Sequence, residues 1–380
     1  MFFNKNFWYA AALLVGTIIG AGMFGLPYAI EKAGFLPGIF LSILLTLLML
    51  YSNLMYGEIV LRTPGRRRYS GLVAQYFSSK MKSFVTFYNT LSHLGALLAY
   101  LILGGILLNN ILSFYLPVSP ALCTLIFFGL ASIGVIFGFE LFGKINLLLV
   151  GALVAMILII SCWGLPAISG SNLLKTDWRS IFFPYGPILF AIGGGCAIPE
   201  MVEVLRRKSC LTKCALIIGN IIPLIIACLF IFSAIGIAGG AITVDAISSL
   251  GNYLGRPAVI FGSFIGLLAI IASFFTVGLN LKKILWYDYK VNPHLAASFV
   301  LLIPLGLFFI GVRDFIEVIS LIGIFFVGID GVVMMKLFYR ARQKGKKRVS
   351  YRLPFAKFMP YVIAGIFILG VILELYFRIT

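Results

Sequence analysis

Apolar residues run along this chain in blocks of roughly 18 to 25 positions with few charged interruptions, and the blocks recur from end to end. A helix of that length spans the roughly 30 Å hydrocarbon core of a bilayer. Polar and apolar positions do not alternate in the way the strands of a membrane barrel require, so the blocks predict helices. Eleven spans result, at 7–33, 36–61, 84–114, 119–139, 144–167, 182–205, 212–238, 257–284, 293–311, 315–338 and 355–378. The third is long enough to need a strong tilt.

Composition agrees with the pattern. Of the 380 residues, 61% are hydrophobic and 11% charged, and the mean hydropathy is +1.09. Those values lie far outside the soluble range and identify an integral membrane protein. Lys5 precedes an apolar stretch that continues through GAGMFGLP without a small-residue cleavage site in a polar setting, so the first block reads as a retained span.

Charge then sets the expected orientation. With a cytoplasmic N-terminus and eleven spans, 24 of the 30 Lys and Arg residues fall on the cytoplasmic side, leaving Lys32, Lys175, Arg179, Arg256, Arg313 and Arg378 outside. The C-terminus is then expected outside, in the cell membrane. The same asymmetry explains the net charge of +18 without a nucleic-acid partner. Arg66, Arg67 and Arg68, and the run KGKKR from Lys344 to Arg348, read as anchors at anionic lipid. The six cysteines lie mostly in apolar runs, and Cys210 and Cys214 sit beside four basic residues, which points to a reducing compartment and to packing roles. His93 and His294 are the only histidines, and HExxH, GxSxG and paired intramembrane aspartates are all missing, so neither an enzyme nor a cofactor is expected.

Two spans depart from the regular pattern in the same way. The first contains GTIIGAGMFGLPYAIEKAGF (16 to 35), and the sixth contains FPYGPILFAIGGGCAIPEMVEVLRR, with Gly193, Gly194 and Gly195 in mid-span and Pro199 after them. Glycine costs about 1 kcal/mol in a helix interior and proline about 3 kcal/mol, so both helices are weakest at these clusters. Unwound backbone at membrane depth must be buried by protein or line a cavity. Lone or unpaired glycines such as Gly16, Gly104, Gly105, Gly236, Gly239 and Gly240 read as close-packing positions. Breaks in spans one and six divide ten helices into five and five, and an odd number inverts the second set. That is the trace of an inverted-repeat transporter whose interrupted helices meet near the midplane. The boundaries are repeat one at 7–167 and repeat two at 182–342 within a core of 1–342, followed by a basic loop and an eleventh helix at 343–380.

GTIIGAGMFGLPYAIEKAGF closely resembles the first-helix signature of the aromatic amino acid transporter family and its amino acid and auxin permease-like relatives in the APC superfamily. AYLILGG (Ala99 to Gly105) and GGGCAIPEMVEVL are similar to that family's third-span and sixth-span patterns, and ASFFTVGLNLKKILWYD (Ala272 to Asp288) to its eighth. The resemblance implies a LeuT-like fold, all α-helical in the membrane, and secondary transport of amino acids. It implies a site in which freed N–H groups meet a substrate carboxylate and freed carbonyls its ammonium. Ile19, Gly20, Ala21, Gly22 and Met23 contribute from the first break, and Ile192, Gly193, Gly194, Gly195 and Cys196 from the sixth. Three successive glycines are compatible with a bulky or aromatic substrate. The resemblance places Tyr100 next to the substrate, although a lone tyrosine there also suits interhelical packing. His93 is a polar group in lipid and suits a hydrogen bond to a neighbouring helix.

The driving ion stays open between proton and sodium. Sodium would use carbonyls of the first break with Ser273 and Thr276, but Ala272 stands beside Ser273 where sodium-coupled relatives often carry adjacent hydroxyls. A proton needs a titratable group, and Glu200 is expected nearest the site, with Glu58 and Asp330 toward the inner ends of spans two and ten. Glu58, Glu203 and Asp330 equally suit structural ion pairs. The reading is a proton-coupled symporter of aromatic or other large neutral amino acids. The alternatives are sodium coupling or exchange on the same fold and, more remotely, a channel or amino acid sensor.

Overall fold

In lipid a backbone can hydrogen-bond only to itself, and the leucine- and isoleucine-rich blocks meet that demand as helices. A computed structural model describes residues 5–65, 67–137, 142–345, 349, 351 and 353–379. Arg66 and Lys346 to Arg348, parts of the two expected lipid anchors, lie outside the described residues. Among the described residues every regular element is helical, apart from one isolated bridge between Gly34 and Thr176.

The first half comprises α1 (Lys5–Ile18), α2 (Ala21–Ala33), α3 (Phe35–Arg62), α4 (Tyr69–Tyr76), α5 (Ser79–Leu112), α6 (Pro120–Phe137), α7 (Phe142–Gly164) and α8 (Gly170–Leu174). The second comprises α9 (Tyr185–Ala191), α10 (Ile198–Val204), α11 (Ser209–Ala238), α12 (Ile247–Leu254), α13 (Arg256–Lys283), α14 (Pro293–Ile310), α15 (Phe315–Leu321), α16 (Val327–Lys344) and α17 (Met359–Ile379). Among the described residues nine helical stretches are long and apolar enough to cross a membrane, α1 and α2 form one further span bent by 51°, and Met359–Leu373 is a shorter apolar helix. These elements fall on the predicted segments.

Boundaries differ where helices outrun the apolar blocks. The third-span helix starts at Ser79 instead of 84 and takes in Lys80 and Lys82, and the tenth runs to Lys344 instead of 338. A charged turn that reaches water keeps its hydrogen bonds, so hydropathy alone underestimates its length. The short helices α4, α8 and α12 lie in connections where the sequence pattern predicts no element. The helices α1 and α2 contact α11, α10, α9 and α3, while α13 lies along α5, α6 and α7. Gly104 and Gly105 sit under Phe127 and Thr124 of α6, the packing role expected of them. Of the cysteines Cys123 is buried, whereas Cys162, Cys196 and Cys210 are exposed, so packing accounts only for part of the set.

The basic connections are fastened together on one face. Glu58, fully buried, accepts from Arg62 Nε at 2.9 Å and from Arg342 Nε at 2.8 Å and Nη2 at 3.0 Å. Arg207 donates to the carbonyls of Val60 at 3.0 Å and Thr63 at 2.7 Å, and also to Gly65. Arg340 donates to the Tyr76 carbonyl at 2.8 Å. Glu58 is therefore held in ion pairs with Arg62 and Arg342.

Leaving a buried charge unpaired costs about 3–5 kcal/mol, and losing one of two arginine partners costs Glu58 a part of that. Arg342 contributes two bonds and Arg62 one, so Arg342→Met should lower the thermal unfolding midpoint in detergent more than Arg62→Met does. Equal midpoints for the two variants would contradict this account.

Candidate functional site

The site begins where the two interrupted spans cross. In the first, the Ile19 N–H makes the last helical bond, to the Val15 carbonyl at 2.8 Å. Gly20 is then extended at φ −135°, ψ −155°, and α2 begins at Ala21 with no side chain capping it. In the sixth, α9 closes with Ile192 N–H on the Ile188 carbonyl at 3.0 Å, and a 3₁₀ turn at Gly195–Ala197 leads into α10. Pro199 sits in the first turn of α10, where its missing N–H breaks no bond.

The crossing demands glycine at two positions. A Cβ on Gly22 would lie 2.6 Å from the Ala191 Cα, and one on Gly194 would lie 2.6 Å from the Ile18 Cγ1. Each break therefore rests its own glycine against the end of the other span's half-helix. First-turn N–H groups at the start of α2 lack helical acceptors and carry the positive end of its dipole. Beside them lies a cavity of about 250 Å³.

Most of the expected binding residues line that cavity. Gly20, Ala21, Gly22, Gly193, Gly194, Gly195, Cys196 and Tyr100 are in its wall. Ile19, Met23 and Ile192 are instead buried in the core, the last two facing a separate void of about 20 Å³. Tyr100 faces Phe190 with ring centroids 6.5 Å apart, which gives the cavity an aromatic side at the level of the sixth-span break.

The ion-coupling candidates separate. Ser273 lies at the first break, its Oγ 3.4 Å from where a Cβ on Gly20 would stand, and it donates to the Ala269 carbonyl at 3.0 Å. Thr276 is exposed and donates to the Ala272 carbonyl at 2.9 Å. Glu200 is exposed and stands outside the cavity wall, although its neighbour Pro199 is in it. The 3₁₀ turn advances the chain before α10 begins, and one residue further round the helix faces away. Asp330, by contrast, is in the wall of the cavity.

Polar residues from spans with no sequence anomaly complete the cavity. Asn53 and Tyr56 of α3, Arg68 and Tyr69 at the start of α4, and Asn280 of α13 all line it. Asn53 Nδ2 donates to Asn220 Oδ1 at 2.9 Å, joining α3 to α11. His93 Nδ1 lies 2.7 Å from the Asn89 carbonyl and Nε2 lies 3.1 Å from Asn280 Nδ2. A carbonyl can only accept, so Nδ1 carries the proton and Nε2 accepts from the amide, which makes His93 a neutral interhelical link. Arg68 donates to Asn280 Oδ1 and extends the link to the loop after α3.

Residues 4–375 match the tryptophan/tyrosine permease family. The chain belongs to that family. The permease is 26% identical to Tyrosine-specific transport system 1 of Haemophilus influenzae over 292 residues, 71% of this chain and 70% of that one. It is 24% identical to Glutamine transporter 2 of Aliivibrio fischeri over 373 residues, 92% and 93% of the two chains. The crystal structure of MhsT in complex with L-phenylalanine shares its fold at a TM-score of 0.70, with 14% identity and 98% of each chain covered. The permease is therefore a multi-pass amino acid transporter of LeuT-like fold, and not an enzyme.

Gly22→Ala forces α2 and α9 apart and should destabilise the permease by about 1–3 kcal/mol, the usual range for overpacking. Gly129 has nothing within 4 Å of its Cβ direction, so Gly129→Ala should leave the thermal midpoint in detergent unchanged or raised. A Gly22→Ala midpoint equal to wild type would show that the half-helices do not meet as described.

Proposed function

We propose that the permease is a proton-coupled symporter of aromatic or other large neutral amino acids, working by alternating access in the cell membrane. The observation that carries this is the single cavity shared by the broken backbones of spans one and six and by Tyr100. Backbone groups at the breaks suit the α-carboxylate and α-ammonium common to all amino acids, and the glycines leave room for a ring beside Tyr100 and Phe190. A relative named for tyrosine and a fold relative crystallised with L-phenylalanine support the aromatic class. On this reading the repeats at 7–167 and 182–342 move against each other. The N-terminus and the basic loops face the cytoplasm near anionic lipid, and the C-terminus lies outside.

Sodium coupling or exchange is the second reading, and the position of Ser273 at Gly20 favours it. Against it, Ala272 replaces the neighbouring hydroxyl and Thr276 is not in the cavity wall. The test is a thermal-stability screen of the purified permease against the common amino acids, with and without sodium and across pH. Ligand at a hundred times its Kd adds about 2.7 kcal/mol of stability. Aromatic amino acids should give the largest upward shifts without sodium. Shifts from small or charged amino acids alone would overturn the substrate class, and shifts that require sodium would establish the second reading. Accumulation against a gradient in proteoliposomes separates a symporter from a channel or sensor, which only equilibrates or only binds.

A further inference from the structure

Below the two breaks the cavity continues toward the basic face, where Asp330 and Met334 of α16 line it. Tyr88 Oη on α5 donates to Asp330 Oδ1 at 2.5 Å, and the Tyr69 hydroxyl on α4 lies 3.3 Å from that of Tyr88 and also bonds the carboxylate. Three separate elements therefore converge on one carboxylate at the inner end of the cavity. Among the described residues no lysine or arginine is within ion-pair distance of it.

The surrounding groups leave Asp330 as the acid free to exchange a proton there. Arg68 is hydrogen-bonded to Asn280, and His93 on α5 is the neutral link between Asn89 and Asn280. On α3, Tyr56 faces the cluster and Glu58 is neutralised by Arg62 and Arg342. Cys196 lines the cavity, whereas Glu200 and Glu203 on α10 are outside its wall. Lys336 and Tyr339 lie further along α16, and Tyr339 donates to the Lys357 carbonyl at 2.6 Å.

Position separates this cluster from the substrate. Tyr88 and Tyr100 are twelve residues apart on α5, about 18 Å along the helix. That exceeds the reach of an amino acid side chain held at the level of Tyr100. A contact path nevertheless joins the two regions. Gly195 lies against Tyr56, with 3.9 Å from its Cβ direction to the ring, and the Tyr56 and Tyr69 rings meet edge to face at 5.7 Å.

We propose that the Asp330, Tyr88 and Tyr69 cluster is the site that binds the coupling proton, and that its charge state controls how α16 is held to α5 at the basic mouth of the cavity. The inference rests on the proton-coupled reading above. Ionised, the carboxylate draws charge-assisted bonds from the tyrosines, which are roughly twice as strong as neutral ones. A proton entering through the cavity converts it to a neutral carboxyl, weakens its hold on Tyr88 and Tyr69, and leaves again when the site faces the other side. No other bond forms or breaks.

The test uses purified protein in proteoliposomes with labelled L-tyrosine and the membrane potential held at zero. A gradient of one pH unit drives up to about tenfold accumulation for one proton per substrate. Wild type should accumulate L-tyrosine under that gradient. Asp330→Asn should bring its ratio close to one while keeping exchange of labelled for unlabelled L-tyrosine, and Asp330→Glu should restore part of the accumulation. Infrared difference spectra on a pH step, with no amino acid present, should show a carboxyl band that Asp330→Asn removes. Wild-type accumulation in Asp330→Asn would overturn the assignment while leaving proton coupling intact. Loss of exchange in both variants would make the residue structural. A binding loss for L-tyrosine but not L-phenylalanine in Asp330→Asn would make it a substrate contact. A wild type driven by sodium and indifferent to pH would instead overturn the proton reading itself.

Discussion

The structure depends on how two gaps in the membrane backbone are closed. Opening a helix at mid-depth strands polar groups where neither lipid nor a side chain can serve them. The permease opens two helices and lays each gap on the other, with Gly22 on the end of α9 and Gly194 on the end of α1. Neither contact survives a side chain at those glycines. Both breaks line one cavity, so the constraint that threatens the fold also shapes the space between the half-helices.

Much of the architecture is legible in the sequence because its causes are local. Span length, the glycine and proline clusters and the distribution of lysine and arginine are all read residue by residue. The helix ends are less legible, as at Ser79 and Lys344, because polar turns continue a helix into water without an apolar signal. The site divides along the same line. Gly20, Ala21, Gly22 and the three glycines of span six announce themselves by breaking a pattern. Asn53, Tyr56, Tyr69 and Asn280 are single polar residues in ordinary helices or loops, and what makes them part of the site is the rotation of each helix against its neighbours.

Glu200 and Asp330 show how that rotation misleads. Glu200 is five residues from the glycine run and Asp330 more than a hundred. Asp330 lines the cavity and Glu200 does not, because helix packing and not sequence distance decides which residues meet it. His93 is legible in the sequence, since a polar ring in an apolar helix needs a partner wherever it points. Its partner, Asn280, is a long-range fact that only the packed structure supplies.

The fastening of the basic face has a mechanical consequence. Glu58 clamps the end of α16 to the end of α3, and Arg207 clamps the turn after α10 to the same place. The exits of spans two, six and ten thus share one keel. Parting α16 from α3 would forfeit both bonds from Arg342 and leave the buried Glu58 carboxylate with Arg62 alone, so the two helix ends are held to one another by more than apolar contact.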